Sequence, residues 1–407
     1  MKKIKKAGVL GAGVMGATIA AQLANVGIET LLLDIVPPQL TEEDIKKGLT
    51  VESKEFRNKL SKKGLESALN AKPAAFYIPE YSKLITIGNM EDDFDKLKEV
   101  DWIIEVVVER LDIKQKVFEK VEGVLRPDMV VSSNTSGISA KSLCEGRSEL
   151  FRKRFAITHF FNPPRYMKLL ELVPGPDTDP EVMEILKETC EKVVGKGIVY
   201  AKDTPNFIAN RIGTFSMMYA IRTMMELGLS VEEVDALTGP VIGHPKTASF
   251  RTADLVGLDT LLHVANNVYE GAKDDPQREL FRPPEFLHRM VEKNLLGDKT
   301  KQGFYKKTTD QKGEKIVLSL DYNTLEYRAQ KKVKFPSLES AKNLQSTEEK
   351  FRTLFYAEDL AGQFTFKTTA ATFLYSADRI PEIADDIVNL DNAMKWGFAW
   401  KVGPFEA

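Results

Sequence analysis

Short apolar runs alternate with helix-spaced apolar positions through the first half of this 407-residue chain. Positions 7–10 form one such run. Ile19, Leu23 and Val26 then recur at helical spacing, and a second run at 30–33 ends in Asp34. Positions 84–87 add a short strand. Positions 101–108, DWIIEVVV, are almost continuously apolar, as a parallel strand covered on both faces requires. Ile113, Val117, Phe118, Val121 and Leu125 mark a helix, and 129–133 another strand. Two strand-like runs within 155–175 flank the turn-rich cluster Asn162-Pro-Pro-Arg165, and a helix over 180–194 leads to a last strand over 197–201. Strands alternating with helices in this way predict an α/β, doubly wound sheet.

Beyond 203 the strand pattern stops. A long apolar helix is predicted from Thr204 to about Leu227, and Ser230-Val-Glu-Glu233 forms a capping box that opens another. The expectation is therefore an all-α helical domain after the sheet. Positions 308–350 are polar and lysine-rich and predict a linker draped over the surface; 351–407 turn apolar and helical again. The expected organisation is 1–203, 204–307, a linker over 308–350, and a partial second helical repeat over 351–407.

The first strand–helix junction carries Gly11-Ala-Gly13-Val14-Met15-Gly16, and Asp34 follows the last glycine by 18 positions. In this context the pattern is a Rossmann-type dinucleotide fingerprint. Gly11 permits the tight turn, Gly13 lets the backbone approach a pyrophosphate, and Gly16 lets helix pack on strand. Amides at the helix start then face the phosphates. Asp34 suits a ribose diol and repels a 2′-phosphate, so NAD is the expected cofactor. The opening MKKIKK resembles the start of a signal peptide, but the strand–helix–strand pattern that follows argues against one.

Glu109 and Asn134-Thr135-Ser136 follow directly on two predicted strands, so they share the rim beyond the strand ends with the glycine turn and Asp34. If the 155–175 hairpin is centred on Arg165, His159 and Glu171 stand opposite one another. A histidine beside a carboxylate is suited to general-base work, the carboxylate supporting the imidazolium. The other three histidines, His244, His263 and His288, lack such a partner and are expected to be structural. Asn210 falls near the start of the helix after Thr204, where a polar residue either faces a cleft or caps the helix.

Charged residues make up 29% of the chain and apolar ones 43%, with a formal charge of −2. That balance is ordinary for a globular protein and gives no nucleic-acid footprint. Two cysteines, Cys144 and Cys190, exclude a disulfide framework and a cysteine-rich metal site, and no metal is expected. No apolar run is long enough to span a membrane, so a cytoplasmic enzyme is expected. Lys46, Lys47, Lys54, Lys59, Lys62 and Lys63 crowd a helical stretch over 41–69, either as a solvated face or as an arm toward an anionic ligand such as coenzyme A.

Taken together, GAGVMG, EVVVERLDIKQKVF, SSNTSGIS, HFFNPPRYMKLLELVPG, KDTPNFIANRI and GDKTKQGFYKK resemble the NAD-dependent L-3-hydroxyacyl-CoA dehydrogenases, in family order over 5–307. The resemblance implies reversible oxidation of (3S)-3-hydroxyacyl-CoA to 3-oxoacyl-CoA in fatty-acid β-oxidation. It implies His159 as general base, Glu171 as its partner, Ser136 at the substrate's 3-oxygen and Asn210 at the thioester. Glu109 and Lys114 match positions bordering the dinucleotide, with Asn134 beside them. Two departures stand out: Asn206 where the family usually has glycine, and Arg110 for a frequent asparagine.

The segment 385–407 reads as a diverged second copy of 231–254, with Val234-Asp235 matching Leu390-Asp391 and Phe250 matching Phe405. Multifunctional members of the family carry two helical copies that pack together within one chain in place of a dimer contact, so either that intramolecular pairing or a homodimer is expected. The second copy stops mid-motif where relatives continue, often into an enoyl-CoA hydratase domain, so a longer multifunctional protein is expected; no hydratase chemistry follows from these residues. Two other functions compete: a dehydrogenase of free 3-hydroxy acids, and a non-catalytic NAD-binding relative.

Overall fold

The computed structural model describes residues 3–310 and 313–407. Met1 and Lys2, which open the basic stretch weighed as a leader, and positions 311 and 312 of the expected linker lie outside the described residues. The chain divides into two compact units, 1–203 and 204–407.

The first unit is built on eight strands: β1 (Lys6–Leu10), β2 (Glu29–Asp34), β3 (Ile85–Asn89), β4 (Trp102–Glu105), β5 (Val130–Ser133), β6 (Phe155–Phe160), β7 (Leu169–Pro174) and β8 (Gly197–Tyr200). Their order is β3-β2-β1-β4-β5-β6-β7-β8, and every pairing is parallel except β6 with β7. The order reverses direction at β1, which places a crevice outside the carboxyl ends of β1 and β4. Helices α1 (Val14–Asn25), α5 (Leu111–Glu122), α6 (Ala140–Cys144), α7 (Glu149–Arg154) and α8 (Pro180–Glu188) make the crossovers. Val9, Leu32, Ile104 and Val131 of the central strands are fully buried, as a sheet covered on both faces demands. Cys190 is buried among them, and burial pushes its thiol up to about 12.

One expectation is corrected in this unit. The stretch 41–69 is not one helix but three: α2 (Glu42–Lys46), α3 (Lys54–Arg57) and α4 (Lys59–Leu69), broken where Gly48 adopts φ +70°. Three of the six lysines are engaged locally, Lys47 by Glu43, Lys59 by Asp44 and Lys62 by Glu55.

The second unit is helical but not all-α. Helices α9 (Ala209–Leu227), α10 (Val231–Leu237), α11 (Phe250–Val256), α12 (Leu258–Gly271) and α13 (Glu285–Glu292) precede an antiparallel sheet of β9 (Tyr305–Thr309), β10 (Lys315–Asp321) and β11 (Glu326–Ala329). Helices α14 (Pro336–Lys342), α15 (Thr347–Phe355), α16 (Leu360–Asp378) and α17 (Ile387–Gly397) follow. Apart from positions 311 and 312, the expected linker over 308–350 is thus folded. Leu320 and Leu338 are fully buried in one core with Val234, Phe250 and Phe364, which a segment draped over a surface could not achieve.

The internal duplication has a structural counterpart. The N-caps of α10 and α17 are Ser230 and Asp386, 156 positions apart. Asp235 accepts the amide of Phe250 at 2.7 Å, and Asp391 accepts that of Phe405 at 2.9 Å. The two 19-residue helices α9 and α16 pack together, with Phe215 stacked on Tyr375 at 3.8 Å. Beneath them Arg211 bonds both Tyr375 and buried Asp275 at 2.6 Å. The two helical copies pair within one chain.

Candidate active site

The glycine turn leaves β1 with Gly11 at φ +104°, where a Cβ would lie 2.6 Å from the carbonyl of Val106. At Gly16 a Cβ would fall 1.8 Å from the Gly11 carbonyl. Gly13 differs: a Cβ there meets nothing within 4 Å, so the position opens onto space. No side chain caps the start of α1, and no acid stands in its first turn, which leaves its amides for an anion. Asp34 accepts the Ala12 amide at 2.6 Å, which fixes its carboxylate beside the turn. Gly13, exposed Val14, Asp34 and Lys63 border a crevice of about 610 Å³, with half-buried Met15 following in α1. The glycine turn, the uncapped helix and Asp34 fit an adenine dinucleotide with an unphosphorylated ribose.

Beside the turn lies a charged network. Glu105, fully buried at the end of β4, accepts Lys114 at 2.8 Å, Ser133 at 2.5 Å and the Val107 amide at 2.7 Å. Burial holds Glu105 above the ordinary carboxylate range against these partners. Glu109 accepts Thr135 at 2.6 Å, the amides of Ser136 at 2.9 Å and Gly137 at 3.2 Å, and an ion pair with Lys114 at 3.2 Å. Burial pushes its carboxyl up, but Lys114, Thr135 and Ser136 prevail and hold it below its usual range. Lys114 was expected to border the dinucleotide; it is 1% exposed and engaged by two carboxylates, so it stands behind Glu109. Asn134 ties β5 to β6, its side-chain oxygen accepting the Phe160 amide at 2.9 Å.

The hairpin β6–β7 pairs His159 with Glu171, the register that a turn centred on Arg165 predicts. The His159 Nδ1 and Glu171 Oε2 lie 2.7 Å apart, with Glu171 fully buried and His159 5% exposed. The His159 ring packs against Phe161 at 4.6 Å. Because β1, β4, β5 and β6 run parallel, the glycine turn, Glu109, Ser136 and His159 all sit toward their carboxyl ends. Asn210 belongs to the second unit, half-buried in the first turn of α9. Among the described residues no group of His, Cys, Asp and Glu could hold a metal.

Glu105 was not anticipated as a site residue. Its signal was visible, since one carboxylate interrupts the apolar run 101–108 and cannot stay buried there without a cation. Gly64 was also missed. A Cβ there would come within 2.3 Å of the Ala12 carbonyl, so α4 packs directly on the glycine turn.

The family described as "3-hydroxyacyl-CoA dehydrogenase, NAD binding domain" matches residues 6–204, and its "C-terminal domain" counterpart matches 207–307. The chain belongs to the 3-hydroxyacyl-CoA dehydrogenase family. NAD is the cofactor of the matched domain. A "Probable 3-hydroxyacyl-CoA dehydrogenase" of Bacillus subtilis (strain 168) is 52% identical over 405 residues, covering 100% of this chain and 51% of the relative. The chain thus spans about half the length of that 3-hydroxyacyl-CoA dehydrogenase relative. A "3-hydroxybutyryl-CoA dehydrogenase" of Bradyrhizobium diazoefficiens is 33% identical, over 77% of this chain and 98% of its own. Among solved structures, FadB2 of M. tuberculosis superposes with a TM-score of 0.61 at 30% identity, covering 75% of this chain and 99% of that one. A 3-hydroxybutyryl-CoA dehydrogenase from Escherichia coli K12, at 21% identity and TM-score 0.65, covers 99% of this chain and 90% of its own, a likeness of fold. Among the described residues no helix is long and apolar enough to cross a membrane.

Proposed function

We propose that this chain catalyses the reversible NAD-dependent oxidation of (3S)-3-hydroxyacyl-CoA to 3-oxoacyl-CoA in fatty-acid metabolism. The observation that carries the reading is the His159–Glu171 pair, 2.7 Å apart on adjacent strands at the crevice end of the sheet. Glu171 engages Nδ1, which makes Nε2 the basic nitrogen and supports the ring once it is charged. His159 takes the substrate's hydroxyl proton as C3 becomes a carbonyl and returns it in the reverse direction. NAD, held by Gly11, Gly13, Gly16 and Asp34, supplies the acceptor for the hydride that leaves C3.

Ser136 binds the 3-oxygen. Its amide is held by Glu109 at 2.9 Å, and Lys114 fixes Glu109 in turn, so these two residues position the serine. Asn210 binds the thioester region. Asn134 borders the nicotinamide end through its place between β5 and β6.

NADH oxidation dependent on acetoacetyl-CoA tests the proposal. Turnover with acetoacetyl-CoA but not with free acetoacetate is expected. Turnover of the free acid would favour a hydroxy-acid dehydrogenase, and none with either a non-catalytic relative. His159→Gln is expected to keep NAD affinity and lose activity by roughly 10²–10⁴-fold, the usual worth of a positioned general base. Near-normal turnover in that variant would refute the assignment.

A further inference from the structure

Residues 161–168 form the tip of the hairpin whose strands carry His159 and Glu171. The tip opens on Phe161, whose ring packs against the His159 imidazole at 4.6 Å, so a displaced tip reaches the imidazole directly. Asn162, Tyr166 and Lys168 are exposed, and the amides of Tyr166 and Met167 share the Pro163 carbonyl at 2.9 and 3.0 Å. An exposed connection of this kind moves unless its backbone is tied down.

Two cations tie it. Buried Lys196, just before β8, donates to the carbonyls of Pro164 and of Met167, the latter at 2.8 Å. Half-buried Arg165 binds the tip to a second element, the segment 74–77. Its Nη1 donates to the Ala74 carbonyl at 2.9 Å and also to that of Phe76, and its guanidinium carbon lies 4.8 Å from the Tyr77 ring centre. The Tyr166 hydroxyl donates to the same Ala74 carbonyl at 3.1 Å.

The segment that receives Arg165 is itself held. Asn25, the last residue of α1, donates to the Ala75 carbonyl at 2.9 Å and accepts the Tyr77 amide at 2.8 Å. Ala75 and Phe76 are buried in the core of the first unit. At its other end α1 borders the dinucleotide crevice through Val14, Ala17 and Thr18. Polar contacts therefore lead from the dinucleotide helix through 74–77 to the tip beside His159.

We infer that Arg165 is a positioning residue for the general base: it clamps the hairpin tip to the segment held by α1 and so fixes the His159 imidazole against the dinucleotide crevice. The inference rests on the proposed dehydrogenase function. Arg165 acts through the tip and Phe161, not by touching substrate. A misplacement of about 1 Å at a catalytic group can cost roughly 10²-fold in rate, so the loss of the clamp falls on kcat and spares binding.

The test uses the full chain with acetoacetyl-CoA and NADH. Arg165→Met keeps the apolar stem and removes the donors; kcat is expected to fall roughly ten- to hundredfold while KM and NADH affinity change by less than about twofold. Arg165→Lys, which returns donors to the two carbonyls, is expected to recover most of the loss. In proton NMR the His159 Nδ1 proton is expected to exchange with water faster in Arg165→Met than in the wild type. If Arg165→Met does not fold, Arg165→Gln makes the same comparison. An unchanged kcat, a loss carried wholly by KM, a loss that Arg165→Lys leaves whole, or an Nδ1 proton that exchanges no faster overturns the inference while the dehydrogenase reading stands. A wild type inactive with acetoacetyl-CoA overturns that reading and this one with it.

Discussion

At the scale of single residues, the three glycines of the nucleotide turn have different reasons to be glycine, and the difference can be measured. Gly16 is demanded by the fold, because any side chain would enter the Gly11 carbonyl. The fold makes no such demand at Gly13, where open space lies, and the proposed role of that position is to let the backbone approach the dinucleotide. Gly13→Ala is therefore expected to leave the thermal unfolding midpoint unchanged while weakening NAD binding roughly tenfold or more, about 1.4 kcal/mol. Gly16→Ala is expected to lower the midpoint whether or not NAD is present. Calorimetry of both variants with and without NAD separates the two cases; equal destabilisation would remove the distinction. Asn206 follows similar logic. It departs from the glycine that the family resemblance implied, and its φ of +62° lies in the left-handed region, which asparagine tolerates better than most residues. Sequence alone exposed that departure but not its backbone geometry, because φ is a property of the folded turn.

At the scale of elements, what was legible depended on how far apart the cooperating residues lie along the chain. The His159–Glu171 register followed from one hairpin with a symmetric turn and a period of two, all within a local stretch. The Glu105–Lys114–Glu109 cluster was only partly visible, because β4, α5 and the loop after β5 meet only in the folded sheet. Its physics is that of a buried cation shared between two carboxylates. Lys114→Met removes the cation and leaves Glu105 uncompensated at a fully buried site. Losing one partner of a buried pair costs about 3–5 kcal/mol, so this variant is expected to be destabilised by that order in urea titration. Glu105→Gln made alongside it should recover part of the loss, since no buried charge then remains. A Lys114→Met protein as stable as the wild type would show that the cluster is not the anchor of the Ser136 loop.

At the scale of the molecule, the second unit departs most from expectation. Low hydropathy and abundant lysine made 308–350 look like a linker, yet one apolar residue per turn or strand, such as Leu320 or Leu338, is enough to stitch it into the core. The duplication, by contrast, was legible because Val234-Asp235 recurs as Leu390-Asp391 at an offset of 156 and Phe250 as Phe405 at 155. Those aspartates give the unit a shared electrostatic character. Asp235 bonds the Phe250 and Arg251 amides and the Tyr305 hydroxyl, and Asp254 bonds the amides of Phe304 and Tyr305. Burial outweighs those bonds and raises the carboxyls to about 7 and about 6 respectively, and Asp391 is raised in the second copy for the same reason. A carboxyl with a raised folded pKa keeps its proton in the native state after the unfolded chain has lost it. Its stabilising contribution is therefore fully present below about pH 4, the unfolded value, and is lost as pH climbs through 6 and 7, by at most about 1.4 kcal/mol per pH unit per group. Hydrogen exchange, corrected for intrinsic rates, should show protection of α11 and β9 falling between pH 5 and 7.5 while β1 and β4 of the first unit change less. Asp235→Asn, which cannot ionise, should be less stable at pH 5 but should flatten that dependence. Protection of α11 that rises with pH would mean the backbone amides hold these carboxylates charged, and the balance between burial and hydrogen bonding would then be the reverse.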